Sequence, residues 1–147
     1  MKHTPKGGLL TDIILKTFKL NGLLVAEGDQ LVKEHELTSA RWKILGALSN
    51  GPAAMTVPDI ARMMGQSRQA VQRLSNDMVE DGLLVTQDNP EHQRAKLLTL
   101  TSDGMNAYEK AMQKQIPWVN ALANDIKKDD LQLASEVLEK LISQLDK

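Results

Sequence analysis

The chain has no cysteine among its 147 residues. That absence excludes a disulfide, a thiolate metal ligand and a cysteine redox switch, and it suits a reducing cytosol. A charge excess of one sign is also missing: 18 Lys and Arg against 19 Asp and Glu leave a formal net charge of −1. Bulk attraction to nucleic acid or to an acidic membrane is therefore not expected, and any basic patch must be local. No long apolar run is present. The amino-terminal stretch after Lys2 and Lys6 is interrupted by Asp12, Lys16 and Lys19, so neither a signal peptide nor a spanning helix is expected. A soluble, cytoplasmic protein without membrane contact is the reading.

Catalytic chemistry lacks a starting point. There is no nucleophile motif, phosphate-binding loop or convincing acid/base pair, so no enzyme is expected. His3, His35 and His92 have no metal-ligand spacing, and "KEHE" at 33–36 reads as the polar end of a helix. No metal and no cofactor are assigned. Internal repeats and low-complexity linkers are absent too, and the length suits one domain over 1–147, although an extended helical shape would move part of the burial into a dimer.

What the chain does have is helical periodicity. From Leu9 to about Lys33, residues such as Leu10, Ile13, Ile14, Phe18, Leu24 and Leu31 recur at three- and four-residue steps, despite Gly22 and Gly28, which predicts a long amphipathic helix. Thr38 is placed to cap a second helix carrying Trp42, Ile44, Leu45 and Leu48, stopped by "NGP" at 50–52. Thr56, with Pro58 and Asp59 behind it, predicts a short third helix ended by Gly65.

Ser67 then caps a fourth helix whose apolar stripe is Ala70, Val71, Leu74, Met78 and Val79. Outside that stripe lie Arg68, Gln69, Gln72, Arg73 and Asn76, while Asp77, Glu80 and Asp81 collect at the end. This charge order opposes the helix dipole by a few tenths of a kcal/mol per exposed group. A solvated polar face is the plain explanation for an isolated helix of this kind. The neighbours change it: a short helix, a glycine turn and a second helix rich in exposed Arg and Gln form a helix-turn-helix, whose second helix enters the major groove. Arg can there bond guanine O6 and N7, and Gln adenine N6 and N7.

After "DGLL" come "LLVT" and "KLLTLT", two short strands around a turn begun by "DNP". This is a wing, with Arg94 and Lys96 on or beside it and Gln93 able to hydrogen-bond. An arginine on such a projection can enter the narrow minor groove. Ser67, Arg68, Gln69, Gln72, Arg73, Asn76, Arg94 and Lys96 are accordingly the candidate DNA-binding residues. Beyond the wing, Thr101 is placed to cap a helix bearing Met105, Tyr108, Met112 and Ile116, with a kink or break expected at Pro117. From about Asp129, Leu131, Ala134, Val137, Leu138, Leu141, Ile142 and Leu145 form a last apolar stripe. It either folds back on its own chain or, as favoured here, joins an intertwined dimer.

The stretch from "LTSARWKILGAL" to "LTLTSDG" resembles the MarR family of bacterial transcription regulators. Its landmarks are "LT" before the second helix, "DIARMMGQSRQAVQRL", "DGLL" at the entry to the wing and "LTLTSDG" at its exit. The resemblance implies a mainly α fold with a small β-wing: a winged helix-turn-helix region at 37–104, flanked by dimerisation helices at 9–34 and 105–147. It also implies a homodimer, a pseudo-palindromic double-stranded DNA operator, and a small-molecule effector whose binding commonly weakens operator binding; a repressor with a small apolar or aromatic effector is expected, and the residues leave activation open as the output. Trp42, Trp118, Phe18 and the methionines suit either such a cavity or ordinary core. One departure stands out. Family wings usually carry Asp-x-Arg, whereas here the residues are His92, Gln93 and Arg94, so Arg94 would be held by Glu91, by the backbone or only by DNA. Two other functions remain compatible with the residues: a winged module for protein association, and a small-molecule binding protein without operator function.

Overall fold

The computed structural model describes residues 1–147 and has six α-helices and a two-stranded sheet. It divides into two compact units, Met1–Met112 and Gln113–Lys147. Helix α1 (Pro5–Val32) starts four residues before the predicted Leu9, because Thr4 accepts a hydrogen bond from the Gly7 amide and Pro5 occupies the first helical turn. Both suit a helix start, where free amides need acceptors and proline's missing donor costs nothing. A single 3-10 turn, Lys33–His35, and a left-handed Glu36 (φ 56°) then turn the chain into α2 (Ser39–Asn50). The Thr38 hydroxyl caps α2 by accepting from the Arg41 amide at 3.2 Å.

The predicted caps recur along the next two helices. Thr56 accepts from Asp59 N at the start of α3 (Val57–Met64), and Ser67 from Ala70 N at the start of α4 (Arg68–Glu80). Between them Gly65 takes φ 65°, a left-handed conformation that glycine adopts without a Cβ penalty. Strands β1 (Leu84–Gln87) and β2 (Leu97–Leu100) pair antiparallel with Leu84 opposite Leu100 and Gln87 opposite Leu97. A third partner was not evident in the sequence: Met55 exchanges both backbone hydrogen bonds with Leu98, at 2.8 and 3.2 Å. The wing is thereby tied to the segment between α2 and α3.

Burial follows the helical stripes within the first unit. Val32, Ile44, Leu45, Ile60, Val71, Met78 and Leu84 are almost wholly buried and belong to one cluster. On α4 the inward face also includes Ser75, a small polar residue outside the predicted stripe, whereas Ala70 is exposed. The base of the wing is closed by Thr101, whose hydroxyl donates to the Gly82 carbonyl at 2.6 Å and accepts from Gly104 N at 3.0 Å.

Helix α5 (Ser102–Ala123) runs through Pro117 without a break. Proline removes one hydrogen-bond donor there, but helical residues on either side carry the ladder past it. The second unit holds the end of α5, a turn, and α6 (Lys128–Leu145). Its α6 side chains Leu131, Leu133, Leu138, Ile142 and Leu145 are exposed, while Val137 and Leu141 are half-buried. In the first unit α1 likewise exposes Leu9, Ile14, Leu15, Phe18, Leu20, Leu23 and Leu24.

Candidate nucleic-acid interface

Three constraints fix the direction of α4. Its start is capped by Ser67, its inner face is set by Val71, Ser75 and Met78, and its end is tied to α2. The tie is an ion pair in which Arg41 Nη1 lies 2.7 Å from Asp81 Oδ2. Asp81 is one of the acids that oppose the helix dipole, so this contact offsets part of an unfavourable placement. Pairs at the surface contribute up to about 1 kcal/mol, and here Arg41 is half-buried while Asp81 is exposed.

With that face buried, Arg68, Gln69, Gln72 and Asn76 share the opposite side of α4. They form one wall of a cleft of about 570 Å³. Val57 and Pro58 from α3 close one end, and Thr86, Arg94, Ala95 and Lys96 of the wing form the other wall. The cleft therefore carries three cationic side chains, Arg68, Arg94 and Lys96, and no carboxylate. None of the three takes part in an ion pair. In the neutral chain this is a local concentration of positive charge beside hydrogen-bonding amides, which suits the phosphates and base edges of a duplex.

Six of the eight sequence candidates meet in this cleft. Ser67 does not line it: its hydroxyl oxygen accepts from Ala70 N at 3.1 Å and terminates the helix. Arg73 lies on another side of α4, because it follows Gln72 by one helical step of about 100°. There it lines a separate cavity of about 360 Å³ with Val25 of α1, Lys43 of α2, Met64 of α3, and Leu74 and Asp77 of α4. Lys43 and Thr86 were not singled out from the sequence. Alternation along β1 was the available signal for Thr86, whereas nothing local distinguishes Lys43 from other exposed lysines.

The wing turn is held by Asn89, whose side chain accepts from Glu91 N at 3.0 Å and whose carbonyl accepts from His92 N at 3.2 Å. Of the three supports considered for Arg94, Glu91 is not used, since no ion pair joins them. No helix is long and apolar enough to cross a membrane.

Comparison with known proteins follows the same lines. A family model described as the MarR family matches residues 35–95. An uncharacterized protein of Mycobacterium tuberculosis is 35% identical over 133 residues, covering 90% of this chain and 92% of that one. The transcriptional activatory protein BadR of Rhodopseudomonas palustris is 30% identical over 110 residues, covering 74% of this chain and 63% of BadR. Among solved structures, AbsC, a MarR family transcriptional regulator from Streptomyces coelicolor, superposes with a TM-score of 0.80 at 19% identity, covering 99% of this chain and 97% of AbsC. NadR in complex with 4-hydroxyphenylacetate gives a TM-score of 0.79 at 18% identity, covering 97% and 95%. The S. aureus MepR–DNA complex gives 0.75 at 18% identity, covering 89% and 96%. These structural likenesses establish the winged-helix fold.

Proposed function

The chain belongs to the MarR family, a family of transcription regulators, and from that premise we propose that it is a homodimer that binds a pseudo-palindromic operator and responds to a small effector. The observation that carries the proposal is the carboxylate-free cleft between α4 and the wing, with Arg68, Arg94 and Lys96 around an amide-rich helix face. In this reading α4 enters the major groove. Arg68 reaches a guanine, Gln69 and Gln72 read adenines, Lys96 meets phosphate, and Arg94 meets phosphate or the adjacent minor groove. The MepR–DNA complex supports the reading as a case of this fold on DNA.

Two-fold symmetry follows from the operator. A single winged unit reads one half-site, and a dimer places two of them a helical turn or a multiple of it apart. The exposed apolar side chains of α1, and separately those of α6, supply surface that water covers poorly and that a second copy would bury. The regions 9–34 and 105–147 are accordingly proposed as dimerisation segments around a DNA-binding region at 37–104.

The effector site is proposed in the cavity bounded by α1, α2, α3 and α4. Val25, Met64, Val71 and Leu74 suit an apolar or aromatic body, and Lys43 and Arg73 suit an anionic group on it. A ligand there would press on the helix that carries the reading face, so differential affinity for the two orientations would alter operator occupancy. NadR bound to 4-hydroxyphenylacetate supports a small aromatic ligand for this fold. Repression is the proposed output. Activation is the second reading, favoured by the similarity to BadR, whose name describes an activatory protein.

Selection of duplexes from a random library, followed by affinity measurements over a range of salt, tests the proposal. The expected result is one inverted repeat bound with a steep salt dependence. Equal binding of all sequences, or no binding at low salt, rejects it. A reporter fused downstream of the selected repeat then separates repression from activation.

A further inference from the structure

On α4, Gln72 Nε2 donates to Asn76 Oδ1 at 2.9 Å, an amide pair one helical turn apart on the wall of the cleft. A glutamine carboxamide offers one acceptor oxygen and two N–H donors. Bonded in this way, Gln72 has committed one donor to Asn76 and retains Oε1 and the second hydrogen of Nε2 for a ligand. One acceptor beside one donor is the complement of the adenine edge, which presents N6–H and N7 in the major groove. Guanine presents two acceptors there, O6 and N7, so Oε1 would face a like group.

A free glutamine does not discriminate in the same way. Its amide can turn about the last torsion and exchange the positions of oxygen and nitrogen, and its rotamers carry considerable entropy. The acceptor at Asn76 biases that choice before DNA arrives, because Gln72 cannot turn over alone without setting its oxygen against Asn76 Oδ1. We infer that Asn76 is a positioning residue that fixes the amide orientation of Gln72 and thereby sets a preference for adenine over guanine at one base of each half-site. This rests on the proposed DNA-binding role of the cleft and adds to it a division of labour: Gln72 touches the base, and Asn76 determines which base it accepts.

The character of the side chain at 76 then sets the outcome. Asn76→Asp keeps an acceptor for Nε2, so the adenine preference persists while overall affinity falls through repulsion from phosphate. Asn76→Ala leaves the amide unbiased. Asn76→Lys offers only donors, so Oε1 turns toward it, the two Nε2 hydrogens become available, and the preference moves toward guanine.

The test uses the full-length protein, the duplex it selects from a random library, and versions carrying guanine in place of each adenine symmetrically in both half-sites. Circular dichroism verifies that each variant keeps its helix content. Gln72→Ala and Asn76→Ala are each expected to lower the adenine preference at the same position by about tenfold. The double variant should lower it no further, Asn76→Asp should retain it, and Asn76→Lys should reverse it. Failure of the parent to select any duplex overturns the DNA-binding reading and this inference together. With DNA selection intact, the inference alone is overturned if Asn76→Ala keeps the preference that Gln72→Ala loses, if the two act at different bases, or if Gln72→Ala alters no base preference.

Discussion

The hydroxyl of Ser39 occupies the space that a side chain on Gly28 would need. Ser39 Oγ donates to the Val25 carbonyl of α1 at 2.7 Å, its backbone amide donates to Asp29 Oδ1 at 2.6 Å, and a Cβ on Gly28 would collide with Ser39 Oγ. The long first helix and the first turn of α2 are thereby held in close contact. Gly28 weakens α1 by its propensity, and the approach of Ser39 is the reason it suits the position.

Gly28→Ala should therefore destabilise the protein by about 1–2 kcal/mol, since the helix-propensity gain of about 1 kcal/mol is outweighed by displacing a buried hydroxyl from its acceptor. Ser39→Ala removes the obstruction, leaving its Cβ at an ordinary 3.5 Å from the added methyl. The double variant should consequently be more stable than Gly28→Ala alone, by about 1 kcal/mol or more. Urea unfolding of the four proteins measures this, and strictly additive effects would refute the coupling.

Much of this was legible from local signals. Thr38, Thr56 and Ser67 are hydroxyl residues placed just ahead of helical periods, where a side-chain oxygen can accept a free amide of the first turn, and in the structure each accepts from the amide three residues on. Interactions between distant segments were not legible. Nothing near Met55 announces its pairing with Leu98, and Ser75 looks like a surface residue until its helix is packed. The grouping of Arg68, Gln69, Gln72 and Asn76 followed from helical spacing. Separating Arg73 from them required knowing how far around α4 the buried face extends. The arrival of Arg94 and Lys96 opposite that face depends on the path of the wing, which spacing does not encode.

The proposed dimer predicts a specific response on α6. Leu138 and Ile142 are exposed on successive turns, whereas Leu141 is half-buried and is a poorer test position. Leu138→Glu with Ile142→Glu should abolish dimerisation, because an unpaired carboxylate resists burial in an interface. Helix content should persist, and operator affinity should fall with the dimer. Sedimentation read beside circular dichroism checks this, and a folded, fully dimeric double variant would remove α6 from the interface.

The two cavities beside α4 predict separable phenotypes. Arg73→Ala and Lys43→Ala alter the cavity proposed for the effector and leave the proposed reading wall intact. Each should leave base selection unchanged and weaken the response to an anionic aromatic effector roughly tenfold, the scale of one charge-assisted hydrogen bond of about 1.5 kcal/mol. Arg68→Ala should do the reverse: it should cost about 1–3 kcal/mol of specific binding and relax one operator position in both half-sites. Titrating operator release with a panel of aromatic carboxylates distinguishes the cases, and altered base selection in Arg73→Ala would move that residue back to the DNA-reading surface.

The wing gives the sharpest electrostatic prediction, because Arg94 lacks the acid that usually lies two residues before it in the family and forms no ion pair with Glu91. If its guanidinium meets DNA, Arg94→Ala should weaken operator binding and reduce the salt slope by about one counterion. Arg94→Lys keeps the charge and should restore the slope. It should not restore full affinity if the planar group enters a narrow minor groove, but should do so if the contact is a simple phosphate pair. Glu91→Ala should leave both quantities near those of the parent, since that carboxylate does not hold the arginine. Thermal stability should stay unchanged in all three, as an exposed loop side chain contributes little to the core. Affinity measured at four or so salt concentrations resolves these outcomes, and an Arg94→Ala protein with the parent's affinity and slope would leave α4 as the proposed reading element without a contribution from Arg94.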